Sequence, residues 1–258
     1  MHIKKRYYIL TAVFSYLFFM VSSLPASKLI SLAKDNRLIT AEFYAVYGSL
    51  WNGGAEQLNI PNQLPVKNLQ WSFNPASLLV AKISSEISGN IKDQNFIGNI
   101  SVNALGTVEA NDVRARIESP VMQELINMPL GELGGIFNLN IQSFIINDAP
   151  IPNVSASLKW NNAKLTITET VDLGDINILV KPGDKNQLRA TISNKQGQLS
   201  LAGTASVDDK KLYSIDLKIT PETDAPNSIK QSLGMFSRRQ TDGSYLVKRK
   251  GNLRELGM

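Results

Sequence analysis

The chain has 258 residues, 43% hydrophobic and 19% charged, a balance that excludes an intrinsically disordered protein. It has no cysteine and a single histidine, His2, which excludes disulfide frameworks, Cys-ligated zinc, thiol catalysis and any His-based triad, metal site or general base beyond the N-terminus. Of the 27 Lys and Arg residues, Lys4, Lys5, Arg6 and Lys28 fall in the first 28 positions, where there is no acid; the other 23 face 22 acidic residues, so the net charge of +5 is no nucleic-acid signature and no nucleic-acid partner is expected.

Residues 7–27 form a run of 21 positions without a formal charge. Its apolar heart, YYILTAVFSYLFFMVSSL at 7–24, approaches the ~20 helical residues that span a hydrocarbon core of about 30 Å. Lys4, Lys5 and Arg6 precede it, so the positive-inside rule keeps a tail of residues 1–6 cytoplasmic and sends residues 28–258 across. A cleavable signal peptide is the competing reading. The stretch exceeds the ~7–15 residues of a signal core, lacks an Ala-x-Ala site, and sets bulky Phe18, Phe19 and Met20 close to Ser22, Ser23 and Ala26. A retained transmembrane helix over 7–27 is therefore favoured, and both readings export the rest.

Pro25 opens a helical stretch, PASKLISLAK, with proline at its preferred first turn. Ser31 and Lys34 within it share the Ser-x-x-Lys spacing that in some hydrolases sets a lysine base one turn from a serine nucleophile. Without the companion motifs, the pair reads as a chance match on an amphipathic helix.

From about residue 40 onward, apolar residues recur with period two, the signature of strands that bury one face. Such runs include Ile83 to Ile91, Ile100 to Ala104, Phe137 to Ile141, Val154 to Trp160, Leu165 with Ile167, Ile176 to Val180, Leu188 to Ile192, Leu199 to Val207 and Tyr213 to Ile219. Short polar turns punctuate them, at residues 92–95, 161–162, 182–184, 194–197 and 208–211. Turns this short specify antiparallel hairpins, about ten strands in all.

Three short helical signals interrupt the strands: a turn at 74–79, Ser119-Pro120 as N-cap and first turn ahead of VMQELINM, and NSIKQSLGMF after Pro226, with Ile229, Leu233 and Phe236 on one face. MPLGELGGI at 128–136 contributes to a weak lobe boundary over 119–136. The fold class is thus mainly β: an N-terminal transmembrane helix, then a long antiparallel meander (curved sheet, half-pipe or sandwich) with two or three short helices. No phosphate-binding loop, dinucleotide fingerprint or calcium loop occurs, and no cofactor is expected. Asp172 with Asp175 and Asp208 with Asp209 read as solvated turn residues, and Lys248, Arg249 and Lys250 as a solvated strand end.

Five segments together resemble the N subunit of the type II secretion system, the GspN family. They are the anchor leading into LPAS at 24–27, YGSLWNGGAEQLNI at 47–60, LQWSFNPASLLVAKI at 69–83, PLGELGGIFNLNI at 129–141 and QTDGSYLVKRKGNL at 240–253. The second is similar to a Gly-x-Leu-Trp-x-Gly-x-Ala core, here Gly48, Leu50, Trp51, Gly53 and Ala55; the third pairs Trp71 with a turn begun by Pro75. The resemblance implies a Gram-negative envelope, an inner-membrane anchor, a periplasmic bulk, a role in exporting folded proteins, other secretion subunits as partners, and no catalytic residues. Read as chemistry, Gly48, Gly53 and Gly54 suit positive φ at a hairpin or bulge. Trp51, Trp71 and Trp160 read as core residues, with an exposed Trp51 contacting a partner as the alternative.

Two functions remain open. One is a non-enzymatic subunit acting by subunit or envelope contacts, for example by strand addition at a sheet edge. The other is a periplasmic lipid- or hydrophobe-handling module, because a long sheet with few helices must cover its apolar face with something. An enzyme is not expected.

Overall fold

The computed structural model describes residues 8, 12–13, 15–16, 23–37, 39–61, 63–126, 131–147, 149–167, 169–184 and 186–253. Lys4, Lys5 and Arg6, and most of the run 7–27, lie outside the described residues. No helix among those described is long and apolar enough to cross a membrane. The chain divides into two compact units, residues 1–93 and 94–258.

In the first unit, helix α1 (Ala26–Asp35) leads to four strands, β1 (Glu42–Gly48), β2 (Asn52–Asn59), β3 (Val66–Phe73) and β4 (Lys82–Ile91), with a 3-10 turn over Pro75–Val80. Each strand pairs antiparallel with the next. Ala26, Ala55, Val66 and Leu69 are its buried apolar residues. The Lys34 ammonium, in the last turn of α1, lies 3.7 Å from Glu42 at the start of β1.

The second unit holds β5 (Gln94–Asn103), β6 (Val108–Glu118), α2 (Ser119–Leu125), β7 (Glu132–Ile146), β8 (Asn153–Thr166), β9 (Thr170–Gly183), β10 (Gln187–Lys195), β11 (Leu199–Val207), β12 (Leu212–Pro221), α3 (Asn227–Phe236), β13 (Arg238–Arg239) and β14 (Tyr245–Asn252). Its strands form one antiparallel sheet in chain order through β12, followed by β14 and then β13. Within each unit the strands make a single hydrogen-bonded layer rather than the two sheets of a sandwich. Among the described residues fourteen strands exceed the ten expected from alternation, for a physical reason. In β2 and β3 the order of glycine, polar and apolar residues hides the period, and β13 has two residues. Backbone pairing makes these strands, and backbone pairing leaves no mark on side-chain alternation.

Bulges also disguise the pattern. Asn161-Asn162, expected as a turn, lies inside β8: the register shifts between Trp160 and Ala163, and Asn162 takes a left-handed φ of 49°. The extra residue moves Ala163 and Leu165 onto the face of Trp160, so one apolar surface continues although the sequence parity flips. Glu132 to Ile136 of the expected mid-chain break belong to β7. Ser119 was expected as an N-cap, yet it makes no capping bond. Its buried hydroxyl donates to the Gly135 carbonyl (2.6 Å), on β7 opposite the bulge of β8.

The core sits at one end of β8–β14. Val171, Leu173, Ile176, Leu199, Ile219 and Tyr245 are buried there, with Ile229 and Leu233 of α3 packed against them. Phe137 stacks on Trp160 at 4.7 Å, and the Trp160 indole N–H donates to the Gly134 carbonyl (2.8 Å). Asn194 stitches the turn beneath this core: its amide donates to the carbonyls of Leu173 (2.7 Å) and Leu199 (2.6 Å), and its oxygen accepts from the Leu201 N–H (2.7 Å). Beside the core, near Tyr245, the Asp242 carboxylate accepts from Lys218 (2.7 Å) and from the Ser244 hydroxyl and N–H; these bonds hold it well below the ordinary carboxylate range.

Replacing Asn194 by Leu keeps the volume and strands three backbone groups, so unfolding in urea should show a loss of about 2–3 kcal/mol; an unchanged midpoint would refute the stitch. Asp242 has a depressed folded pKa, so its contribution is present above the unfolded carboxylate pKa and fades as pH falls through the folded one. The stability difference between the native chain and Asp242→Asn should accordingly be widest near neutrality and close in strong acid.

Candidate functional site

The residues singled out by the family resemblance converge on one end of the first unit. In an antiparallel meander alternate connections fall at the same end, so the β1–β2 hairpin and the β3–β4 connection meet there. Gly48 ends β1 with φ of 76°, and a Cβ added to it would run into the Asn52 carbonyl oxygen. The turn closes through the Ser49 N–H donating to the Asn52 carbonyl (2.8 Å), while Ser49 Oγ accepts from the N–H groups of Trp51 and Asn52 (3.2 Å each).

Gly53 does not have the positive φ expected of it; its role is close approach. A Cβ there would lie 2.7 Å from Trp71 Cζ2 and from the carbonyl oxygens of Tyr47 and Ser49. Gly54 faces the other way, and the Tyr47 ring occupies the space its side chain would need. The glycine pair thus leaves room for one aromatic side chain on each face of the hairpin. Ala55 follows, completely buried, opposite Val46 and Leu69.

Trp71 and Trp51 are half-buried, and neither is enclosed as a core residue is. Trp71 donates its indole N–H to the Ser49 carbonyl (3.2 Å), which ties β3 to the hairpin turn. Trp51 packs on Phe73 with ring centroids 4.6 Å apart, and its carbonyl accepts from the Phe73 N–H (2.6 Å). Pro75 starts the 3-10 turn, capped by Asn74, whose Oδ1 accepts from the Ala76 N–H (3.0 Å). Leu50, at the tip, is 44% exposed. On the polar face beside the motif lies an open groove of about 400 Å³, lined by Tyr47, Asn52, Trp71, Glu86 and Ser88 among others.

This constellation offers shape and hydrogen-bonding capacity rather than a nucleophile and a base. Ser31 and Lys34 are separately engaged: the Ser31 hydroxyl donates to the Ser27 carbonyl (2.8 Å), and Lys34 reaches Glu42. The turn carboxylates serve backbone. Asp172 accepts from the Gly174 N–H, Asp175 from the Asn162 N–H, and Asp208 from the N–H groups of Lys210 and Leu212. Among the described residues, no group of three or more His, Asp or Glu could hold a metal ion.

Sequence reasoning missed the exposed apolar run Leu78, Leu79 and Val80. Read as part of a Pro-x-x-Leu-Leu turn, it looked structural; three successive apolar residues after a helix-starting proline were the available signal. The hairpin itself generates a test. Gly53→Ala should lower stability by about 1–3 kcal/mol through overpacking, seen as an earlier thermal transition; an unshifted transition would mean the Trp71 ring does not press on the hairpin.

The family model for type II secretion system (T2SS), protein N matches residues 42–248. No curated protein and no solved structure matches the chain. The matched span opens on the first residue of β1, takes in the Gly48–Trp51–Gly53–Ala55 hairpin and the Trp71 strand, and ends within β14. The chain belongs to the type II secretion system protein N family.

Proposed function

We propose that this chain is a non-enzymatic, inner-membrane-anchored subunit of the type II secretion machinery. Residues 1–6 form a cytoplasmic tail, 7–27 a transmembrane helix and 28–258 a periplasmic β-rich region, with other secretion subunits and the inner membrane as partners. The family match carries this reading, since it runs through the strands of both units. Gly48, Leu50, Trp51, Gly53, Ala55, Trp71 and Pro75 act as the frame of a contact-making tip. Strand addition is a second mode of contact: among the described residues β13 pairs with β14 only at Tyr245 and Leu246, so 247–251 present an unpaired backbone edge.

One observation favours a lipid- or hydrophobe-handling role as the second reading. The apolar face of the second unit extends beyond the α3 core: Val180 and Ala205 flank Ala190, Leu188 opposes Val207, and all stay half-buried. An apolar sheet face of this kind suits an alkyl ligand.

Deleting the gene in its native host and assaying secreted enzymes in medium, periplasm and cytoplasm, beside a complemented strain, separates the two. Folded, active exoproteins trapped in the periplasm are expected. Unchanged secretion with altered lipid composition would overturn the secretion role and support the second reading.

A further inference from the structure

The contact-making tip of the first unit is joined to the end of the apolar N-terminal run. The Leu24 carbonyl accepts from the Leu50 N–H (3.3 Å), and Pro25 forms an antiparallel bridge with Ser49. Leu24 is the last residue of the stretch 7–24. Wherever that stretch ends, the β1–β2 turn is held within a few ångströms of it. The Phe73 N–H bond to the Trp51 carbonyl then holds the β3–β4 connection to the same point.

That connection exposes apolar side chains that none of the described residues covers. Leu79 is 89% exposed, Val80 67% and Leu78 53%, with Ile83 at 61% where β4 begins. Folding gains nothing from leaving four aliphatic side chains in water, and contiguous exposed apolar residues mark an interaction surface. Segments 23–29, 48–52 and 74–83 contain no Asp or Glu, and their charged residues are Lys28 and Lys82. Apolar side chains rimmed by lysine, with a half-buried tryptophan alongside, match the chemistry of a bilayer interface carrying anionic phosphates.

We infer that this end of the first unit is a membrane-seating surface: Leu50, Leu78, Leu79 and Val80 enter the headgroup–acyl boundary of a phospholipid bilayer beside the anchor. The occupant is lipid rather than protein because the surface is hydrogen-bonded to the end of the apolar N-terminal run and is built from segments that hold lysine and no carboxylate. Seating would fix the direction in which the four strands rise from the membrane. A single helix ending in a free linker leaves that direction open.

The inference rests on the anchored topology proposed above, and the test separates the two. The native chain has no cysteine, so one thiol can be introduced without background. The full chain carrying Leu79→Cys, labelled with an environment-sensitive fluorophore, is reconstituted into vesicles of phosphatidylethanolamine and phosphatidylglycerol. Gln63→Cys, exposed in the β2–β3 connection at the opposite end of the strands, is the reference, and Leu50→Cys repeats the reading on the second loop. Leu79 makes so little contact that its replacement leaves folding intact.

A blue-shifted emission at positions 79 and 50, with intensity lost to nitroxides placed shallowly on the acyl chains, is expected; position 63 should report water. A chain that fails to float with the vesicles overturns the anchor and this surface with it. A chain that floats with position 79 as wet and unquenched as position 63 overturns the surface alone, and assigns the tip to a protein partner.

Discussion

A strand in water or in a protein must place its backbone N–H and C=O groups somewhere, and here they go to the neighbouring strand in the chain. β1 to β4 in the first unit and β5 to β12 in the second pair in sequence order, so most contacts are local and each hairpin fixes the register of the next. This nearest-neighbour ladder decides almost everything else. It sorts side chains onto two faces, puts alternate connections at one end, and makes exposed edges and an extended apolar face unavoidable. Only β14 breaks the order, by inserting between β12 and β13 after α3 has crossed the core.

The faces stay apolar and polar because bulges correct the parity. At Asn162, opposite Gly135 of β7, an extra residue of β8 with positive φ shifts the pairing with both neighbouring strands, returning apolar side chains to the buried side. The backbone groups released by these shifts are taken up by polar side chains. Ser119 donates to Gly135, Asp175 accepts from Asn162, and Trp160 reaches Gly134. Such residues would look like surface chemistry in a sequence, yet they keep the ladder complete.

In the first unit the same logic builds a braced hairpin turn. The hairpin glycines remove side chains where two aromatic rings must lie, and the rings brace the turn from both sides. The braced turn is hydrogen-bonded to the last residue of the apolar N-terminal run and to the connection that exposes Leu79. The hairpin turn and the β3–β4 connection are thereby held to one point at the end of the first unit.

The mainly β class, the antiparallel pairing, the short helices at 119 and 227 and the resemblance of residues 47–60 to a family core were legible in the sequence, because period-two alternation, polar turns and proline-led helix starts are local signals. Composition alone removed cysteine and histidine chemistry. Other features belonged to the tertiary structure. Whether Asn161-Asn162 turned or bulged depended on pairing with β9, and whether Gly53 served through φ or through close approach depended on Trp71, 18 residues away. The exposure of Leu78 to Val80 followed the same rule. An apolar run carries no mark of what covers it, and only the packed strands decide whether a core closes over it or leaves it facing out.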